Sequence, residues 1–246
     1  MSAPLRFASI NIEGDTHLDR VLSFLKDFKP DVVCFQELFE HRVPFFEEKL
    51  GMKGHFAPMT RGKSIPKDDT SPIATFGLGL YSKLLVTSFS IDYYFGGSGD
   101  IPNLIYENEE TLWRAILKAQ VSKGNDVYTI ATTHFTRTPD GSPSEKQRRD
   151  LKEMNKVIGK NQDLVLAGDF NAPRGLEIFE ILSKKYKDNI PAKYDSSLDP
   201  NLHKAGHLKL MVDCLFTTPE YEATEVKLSE GVSDHLAITA LISRKG

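Results

Sequence analysis

The sequence predicts an α/β fold in which two β-sheets pack face to face and helices cover their outer sides. Short apolar runs of strand length, bounded by turn residues, dominate the chain. Many of these runs are apolar on both faces, which is typical of sheets that are covered on both sides. Helical segments are fewer and do not alternate strictly with the strands, which disfavours a doubly wound parallel sheet. No linker-like stretch divides the chain, so residues 1–246 are predicted to form one domain.

The strands are predicted from runs rich in Val, Ile, Leu, Phe and Thr. These runs cover residues 5–11, 31–37, 76–83, 112–121, 127–135, 163–171, 211–218 and 235–243. Each run ends at turn-forming or polar residues, which is how strands of half-buried or buried sheets are bounded.

Helices are predicted where apolar residues recur at helical spacing between the strands. The three apolar stripes are Leu18, Val21, Leu22 and Leu25; Leu151, Met154 and Ile158; and Leu176, Phe179 and Leu182. Asp15 or Thr16 is the expected N-cap of the first helix. Ser144 and Gln147 have the spacing of a capping box before the second.

Two segments are predicted to be long loops, at about 55–75 and 92–110. Long loops in compact domains are often binding elements, and tolerated surface insertions are the alternative.

The composition is that of an ordinary soluble globular protein, with 40% hydrophobic and 26% charged residues. The net charge of −3 excludes the global basic field of a protein that grips long nucleic acid. Cys34 and Cys214 lie in apolar runs and are expected to be reduced core residues, although a disulfide between them stays open. Because no run is long enough to span a membrane and no signal-peptide pattern is present, we expect a cytoplasmic protein. We also expect a monomer.

Polar residues stand at the ends of the predicted strands, where they are costly unless they are paired or bind a metal ion. In chain order they are Asn11, Gln36–Glu37, Thr133–His134, Gly168–Asp169–Phe170–Asn171, Asp213 and Ser233–Asp234–His235. Each one alone has an ordinary structural explanation, such as a turn or a solvated strand end. The ordered set, which spans residues 11–235, carries the functional argument.

These motifs, in this order, resemble the endonuclease/exonuclease/phosphatase superfamily. The resemblance implies a deoxyribonuclease-like α/β fold, a four-layer sandwich of two packed mixed β-sheets flanked by helices. It also implies an enzyme, a divalent-metal-dependent hydrolase of phosphoric ester bonds. A catalytically dead binding module is disfavoured because Glu37, Asp169, Asp234 and His235 are all present.

The resemblance also implies roles for the residues of the motifs. Glu37, Asn11 and Asp234 are the expected ligands of Mg²⁺, a hard cation that prefers oxygen donors and that Mn²⁺ could replace. Asp169 is suited to orient and deprotonate the attacking water, and Asn171 to donate to a phosphoryl oxygen. His235 is expected to be oriented by Asp213, as a proton-transfer group or as a cation held against the phosphate. His134 is expected to stabilise the phosphate or protonate the leaving group.

The general base stays open between Asp169 and the Asp213–His235 pair, and the number of metal ions stays open as well.

The substrate class is narrowed by single positions. His134 stands where apurinic-site endonucleases of the superfamily tend to carry Tyr, and the Trp that precedes G-D-x-N in inositol 5-phosphatases is absent. Arg137 and Arg174 follow two of the motifs and are expected to contact flanking phosphates. We therefore expect a phosphodiester substrate, in nucleic acid or a nucleotide-like molecule, bound as an end or a short segment. The alternative is a phospholipid or a small phosphorylated metabolite.

Overall fold

The strands and helices are those of a computed structural model that describes residues 4–63, 73–105, 108–159 and 163–245. The strands are β1 (Leu5–Asn11), β2 (Val32–Phe39), β3 (Lys53–Lys63), β4 (Ile73–Ser82), β5 (Leu85–Phe95), β6 (Arg114–Lys123), β7 (Asp126–His134), β8 (Val165–Asp169), β9 (Lys187–Asp188), β10 (Asp213–Thr217), β11 (Tyr221–Ser229) and β12 (Ala237–Arg244). The α-helices are α1 (Leu18–Phe28), α2 (Val43–Leu50), α3 (Glu145–Ile158) and α4 (Glu177–Ser183).

The strands of the described ranges form two six-stranded sheets. The first sheet has the order β11-β12-β1-β2-β4-β3, and the second has the order β5-β6-β7-β8-β10-β9. Each sheet contains one parallel pair, β1 with β2 and β7 with β8, and its other pairs are antiparallel. Both sheets are therefore mixed, and the predicted fold class is confirmed.

Apolar residues on both faces of the inner strands build the four layers. In β1, Phe7 packs in the core between the sheets, and its neighbour Ala8 packs in the cluster that α1 and α2 form on the outer face of the first sheet. Helices α3 and α4 cover the outer face of the second sheet through side chains such as Met154 and Phe179. Because side chains alternate across a strand, a strand buried on both faces must be apolar at successive positions.

The predicted helices are found, but two of their caps differ from the prediction. The N-cap of α1 is His17, which makes no capping hydrogen bond, whereas the carboxylate of Asp15 accepts two from Arg42 at 2.9 Å each. Ser144 caps α3 as predicted, since its Oγ accepts from the backbone N–H of Gln147 at 3.1 Å. The side chain of Gln147 does not return to Ser144; its amide donates to the carbonyls of Thr136 and Asn171.

The first predicted long loop is wrong where it can be compared with the structure. Residues 55–63 belong to β3 and residues 73–75 to β4, while 64–72 lie outside the described residues. In the second, β5 continues to Phe95 before the chain leaves the sheet, and residues 106–107 are not described. Cys34 and Cys214 are both buried and free, which settles the open disulfide. Among the helices of the described ranges, none has the length and apolar character to cross a membrane.

Candidate active site

The predicted site residues converge because the two parallel pairs end at the same edge of the sandwich. In the first sheet, Asn11 at the end of β1 is in register with Gln36 of β2. In the second, Asp169 at the end of β8 is in register with His134 of β7 and with Asp213 of β10. The polar residues near the carboxyl ends of β1, β2, β7 and β8 therefore lie close together.

Glu37 reaches this edge through an irregularity in β2. The pairing with β4 shifts register between Phe35 and Leu38, and Glu37 has a positive φ of 59°. A bulge of this kind re-aims a side chain that regular pleating would direct elsewhere. Its neighbour Gln36 stays buried and donates to Thr132 Oγ1 of the second sheet at 2.8 Å, so the Q-E pair joins the sheets behind the site.

The centre of the site is a buried contact between the two sheets. Nδ2 of Asn11 lies 3.2 Å from Oε1 of Glu37 and 3.2 Å from Oδ2 of Asp169. Nε2 of His134 lies 3.5 Å from Oδ2 of Asp169 and 3.8 Å from Oε1 of Glu37. An amide and an imidazole thus stand between two carboxyl groups that would otherwise face each other without compensation.

His235 and Asp213 form the predicted pair. Nδ1 of His235 lies 2.7 Å from Oδ2 of Asp213, and its Nε2 lies 4.0 Å from Oδ2 of Asp169. Burial lowers the pKa of His235, but the charges of Asp213, Asp169 and Asp234 outweigh burial and hold that pKa well above its ordinary value. The ring is therefore held as a cation that faces the centre of the site.

The buried carboxyl groups of the centre are poorly compensated. Burial raises the pKa of Asp169 to about 7, although the charge of His235 opposes the shift. Burial and the nearby charge of Asp234 raise the pKa of Glu37 to about 7. Burial and the charge of Arg114 hold the pKa of His134 well below its ordinary value. The guanidinium of Arg114 donates to the backbone carbonyls of His134 and Phe135. His134 therefore adds no positive charge beside the two acidic groups, and His235 is the cationic side chain that faces them.

Asn171 and Asp234 complete the set of predicted residues at the centre. The backbone N–H of Asn171 donates to Oδ1 of Asp169 at 2.8 Å, which fixes the carboxyl group, and its Nδ2 donates to the carbonyl of Phe135 at 3.3 Å. Asp234 accepts from Ser233 Oγ at 3.2 Å, and its charge acts on Glu37 and His235.

The two predicted arginines differ in their surroundings. Arg137 is exposed, and its charge contributes to the lowered pKa of His134, so it lies at the rim of the site. The guanidinium of Arg174 is paired with Asp188 at 2.7 Å and donates to the carbonyls of Ile190 and Tyr194. The side chain thus already holds the 188–194 segment in place, and a phosphate contact by Arg174 would share the guanidinium with these partners.

Two residues near the site were not predicted. Glu13 follows Asn11 by two positions, pairs with Nε2 of His17 at 3.1 Å, and has a pKa raised by burial and by Asp234. The spacing Asn11-x-Glu13 at a strand end is a signal that could have identified it. The ring of His203 lies 6.0 Å from the ring of His235, centroid to centroid. It stands in a polar loop between β9 and β10, and no periodicity or strand boundary marks it.

The donor set fits a divalent cation. Ligand atoms of Asp169, Asp213 and His235 lie within 4.8 Å of one another, and so do those of His203, Asp234 and His235. Together with Glu37 and Asn11, the carboxyl groups of these sets supply oxygen donors, which hard divalent cations prefer, whereas His235 as a cation offers no lone pair to a metal.

Comparisons with known proteins cover nearly the whole chain. The sequence model of a protein family, described as "Endonuclease/Exonuclease/phosphatase family", matches residues 8–235 of this chain. An endonuclease/exonuclease/phosphatase structure from Bacteroides vulgatus has a TM-score of 0.70 and 18% identity, covering 98% of this chain and 99% of that one. A mannosyl-6-phosphatase from Bacteroides thetaiotaomicron has a TM-score of 0.66 and 14% identity, with 97% and 99% coverage.

TDP2 from D. rerio, complexed with a single-strand DNA product, has a TM-score of 0.66 and 17% identity, with 97% and 98% coverage. At these identities the likeness to solved structures concerns the fold alone. No curated protein matches this sequence at a significant level.

Proposed function

Since the chain belongs to the endonuclease/exonuclease/phosphatase family, and is thus a phosphoester-hydrolysing enzyme, we propose that it is divalent-metal-dependent and cleaves a phosphodiester of nucleic acid or a nucleotide-like molecule. One observation carries the proposal: Asp169 lies within 3.2–4.0 Å of Asn11, His134 and His235. Such a constellation has the parts that in-line phosphoester hydrolysis requires, namely a base, donors to the phosphoryl oxygens and a leaving-group partner.

In this proposal, Glu37, Asn11 and Asp234 hold Mg²⁺ or Mn²⁺. When bound, the cation would act as a Lewis acid that neutralises charge on the phosphoryl group. The carboxyl of Glu37 must be deprotonated for this role, and its raised pKa makes binding release a proton near neutral pH.

Among the protein groups, Asp169 is proposed as the base. Its carboxyl group is buried at the centre of the site, 3.5 Å from Nε2 of His134 and 4.0 Å from Nε2 of His235. The backbone N–H of Asn171 holds one carboxyl oxygen and Asn11 the other, so the orientation of the group is fixed.

His235 is proposed to act as a cation toward the phosphate, because its pKa is held high by Asp213. This argument favours Asp169 over the Asp213–His235 pair as the base. His134 is neutral and is proposed to hydrogen-bond to the phosphoryl group or to the leaving oxygen.

The substrate is proposed to be an end or a short segment of nucleic acid, or a small phosphodiester. Basic side chains of α3 are paired with carboxylates: Arg148 contacts Glu145 and Glu177, and Arg149 contacts Glu110. Arg148 and Arg149 therefore do not add uncompensated positive charge, and Arg137 is the proposed phosphate contact at the rim. A phospholipid or a small phosphorylated metabolite is the alternative, which the same pairing of basic groups also allows.

The test is a panel of phosphoesters offered to the purified protein with Mg²⁺ and with Mn²⁺. The panel contains single-stranded DNA, RNA, plasmid DNA, bis-p-nitrophenyl phosphate, p-nitrophenyl phosphate and a lysophospholipid. We expect turnover of at least one phosphodiester, its loss in EDTA and its return with added metal. His235→Ala, purified in parallel, excludes a co-purifying hydrolase, and His41→Ala at the surface is the matched control. Full turnover in EDTA after metal stripping, or equal turnover by His235→Ala, would overturn the mechanism.

Three further expectations belong to this proposal: a single domain over residues 1–246, a monomer and a cytoplasmic location. Limited proteolysis, light scattering and cell fractionation test them in turn. A dimer in light scattering would remove the second expectation and leave the active site unaffected.

A further inference from the structure

The loop of residues 199–210, here called the histidine loop, is fastened to the backbone of the active site. The N–H of Asp199 donates to the carbonyl of Asp234 at 2.8 Å, and the N–H of Leu236 donates to the carbonyl of Ser197 at 2.7 Å. These two bonds pair the start of the loop with the segment that carries Asp234 and His235. The histidine loop therefore keeps a fixed position relative to both residues.

The carboxylate of Asp199 stabilises the histidine loop by hydrogen bonds to backbone N–H groups. Its Oδ1 accepts from the N–H groups of Asn201 and Leu202 at 2.9 and 3.0 Å, and its Oδ2 accepts from Gly231 at 2.7 Å. Asp199 is buried, so these bonds are sheltered from water. The N–H of His203 then donates to the carbonyl of Asp199 at 3.0 Å, which places His203 at the end of a closed turn.

The side chain of His203 stands over the active site. Its ring meets that of His235 edge to face, with centroids 6.0 Å apart and planes at 79°. One nitrogen of the ring lies within 4.8 Å of ligand atoms of both Asp234 and His235. The neighbouring Lys204 is exposed, and its positive charge acts on Glu13 across the mouth of the site.

A hydrogen bond within the loop fixes which nitrogen of His203 carries the proton. The backbone N–H of Ala205 donates to Nδ1 at 3.2 Å, so Nδ1 must present a lone pair. The proton of the neutral ring is then on Nε2, which makes Nε2 a donor. A metal ligand at Nε2 would need its lone pair there, and the proton moved to Nδ1 would face the N–H of Ala205. The contact with Ala205 therefore favours a hydrogen-bond donor over a metal ligand.

We propose that His203 is a substrate-contact residue whose Nε2–H donates to an oxygen of the phosphoryl group that is bound beside His235. The inference rests on the proposed phosphoesterase function and adds a residue to it. The ligand chemistry is a phosphate oxyanion, which is shared by a phosphodiester, a phosphomonoester and the free phosphate product.

The kinetic test compares three variants on the best substrate of the panel at saturating metal. A hydrogen bond to a charged group is worth enough to change affinity by about ten- to a hundredfold. We expect His203→Ala to raise KM by about tenfold or more and to change kcat less. His203→Gln, whose amide is also a donor, is expected to recover part of the loss. His207→Ala, exposed on the same loop, is the matched control and is expected to match the wild type.

Binding measurements separate this inference from the proposed function. Mn²⁺ is titrated into the wild type and His203→Ala, and inorganic phosphate is then titrated into both Mn²⁺-loaded proteins. We expect equal Mn²⁺ affinity and weaker phosphate binding by the variant, with unchanged thermal unfolding of the two proteins as the folding check. If the wild type cleaves nothing in the panel, the proposed function fails, and the phosphate titration still decides the role of His203.

Three results would overturn the inference. A lower Mn²⁺ affinity of His203→Ala would make His203 a metal ligand instead of a donor. Equal phosphate affinity and equal KM in the variant and the wild type would remove the contact altogether. An absence of measurable phosphate binding by the Mn²⁺-loaded wild type would also count against it.

Discussion

Asn11 and Asp169 meet across the two sheets: Nδ2 of Asn11 donates to Oδ2 of Asp169 at 3.2 Å, although 158 positions separate them in the chain. Each residue is the last of its strand, and each strand is one of the two central strands of its sheet. The contact shows that the two halves of the chain build the same buried centre together. The site exists only when both sheets are packed, so its geometry reports on the whole fold.

Asp169→Asn is expected to lower kcat by about 10²–10⁴-fold, because it removes the proposed base with almost no change in shape. Without metal, the same variant is expected to lose less stability than the wild type between pH 6.5 and 8. The reason is that burial disfavours the charged form of Asp169, whose pKa is raised to about 7, and the amide carries no charge at any pH. Steady-state kinetics and thermal unfolding measure the two effects. Asp195→Asn, at an exposed ion pair, is the control. Undiminished turnover would mean that the base lies elsewhere.

Gln147 of α3 is expected to position two of the site loops. It is fully buried, and its amide donates to the carbonyl of Thr136 at 2.8 Å and to that of Asn171 at 3.1 Å. Gln147→Met keeps the volume and leaves both carbonyls without a donor, at a cost on the order of 1–3 kcal/mol. Because Thr136 and Asn171 each follow a site residue by two positions, we expect kcat to fall by about tenfold in the folded protein.

Kinetics below the unfolding transition measure this effect, with Lys152→Ala on the exposed face of α3 as the control. A drop in stability with unchanged kcat would assign Gln147 to the packing of α3 alone.

Gly168 precedes Asp169, and its backbone explains why a side chain is excluded there. It has φ of +142°, and a Cβ at this position would lie 2.1 Å from the carbonyl oxygen of Thr133. Gly168→Ala must therefore push β8 away from β7, and we expect a large loss of thermal stability together with loss of activity. Gly175→Ala is the matched control, because Gly175 also has a positive φ, +86°, but no atom lies within 4 Å of its added Cβ. Its cost should be limited to about 1–2 kcal/mol of backbone strain. Equal stability of the two variants would refute the argument.

The sequence predicts the inner strands well and the outer ones poorly, for a physical reason. The four strands that the apolar pattern missed, β3, β5, β9 and β11, are the edges of the two sheets. An edge strand is covered on fewer sides, so its residues are more polar or are exposed, as Leu85 and Phe89 of β5 show. Edges also tolerate residues that weaken a strand signal, such as Pro58 in β3.

The site residues were predictable where polar groups end apolar strands, as at Asn11 and Asp169. His203 was not, because a loop brings it to the site, and tertiary contacts of that loop leave no periodic pattern in the sequence. Arg174 was assigned by its proximity to Asn171 along the chain. In the structure its guanidinium pairs with Asp188, an interaction that sequence adjacency does not reveal, and the phosphate contact stays a prediction.

The stability of the metal-free protein is expected to fall as pH rises from about 6.5 to 8. In the folded state the pKa values of Glu37 and Asp169 are about 7, against ordinary values of 4.5 and 3.8. The unfolded chain has already lost these protons at pH 6.5, so the folded state binds more protons and loses stability as they leave. The raised pKa of His235 acts in the same direction, because its stabilising charge is lost as pH rises. The lowered pKa of His134 acts in the opposite direction only below its ordinary value of 6.5.

Mg²⁺ is expected to reverse this loss, since a cation at the site compensates the carboxylates that deprotonation leaves charged. The increase in Tm on adding Mg²⁺ should therefore grow between about pH 6.5 and 8. Glu37→Gln removes one of these carboxylates. The metal-free Tm of this variant should depend less on pH, its Tm should increase less on adding Mg²⁺, and its Mn²⁺ affinity should be lower.

Glu48→Gln, at an exposed position, is the matched control and should retain the wild-type dependence. Thermal unfolding with and without Mg²⁺ across this range measures the two effects on Tm, and a Mn²⁺ titration supplies the affinity. A metal-free Tm that rises with pH would contradict the raised pKa values of Glu37 and Asp169. An Mg²⁺ effect that is the same in Glu37→Gln and the wild type would show that Glu37 is not part of the cation site.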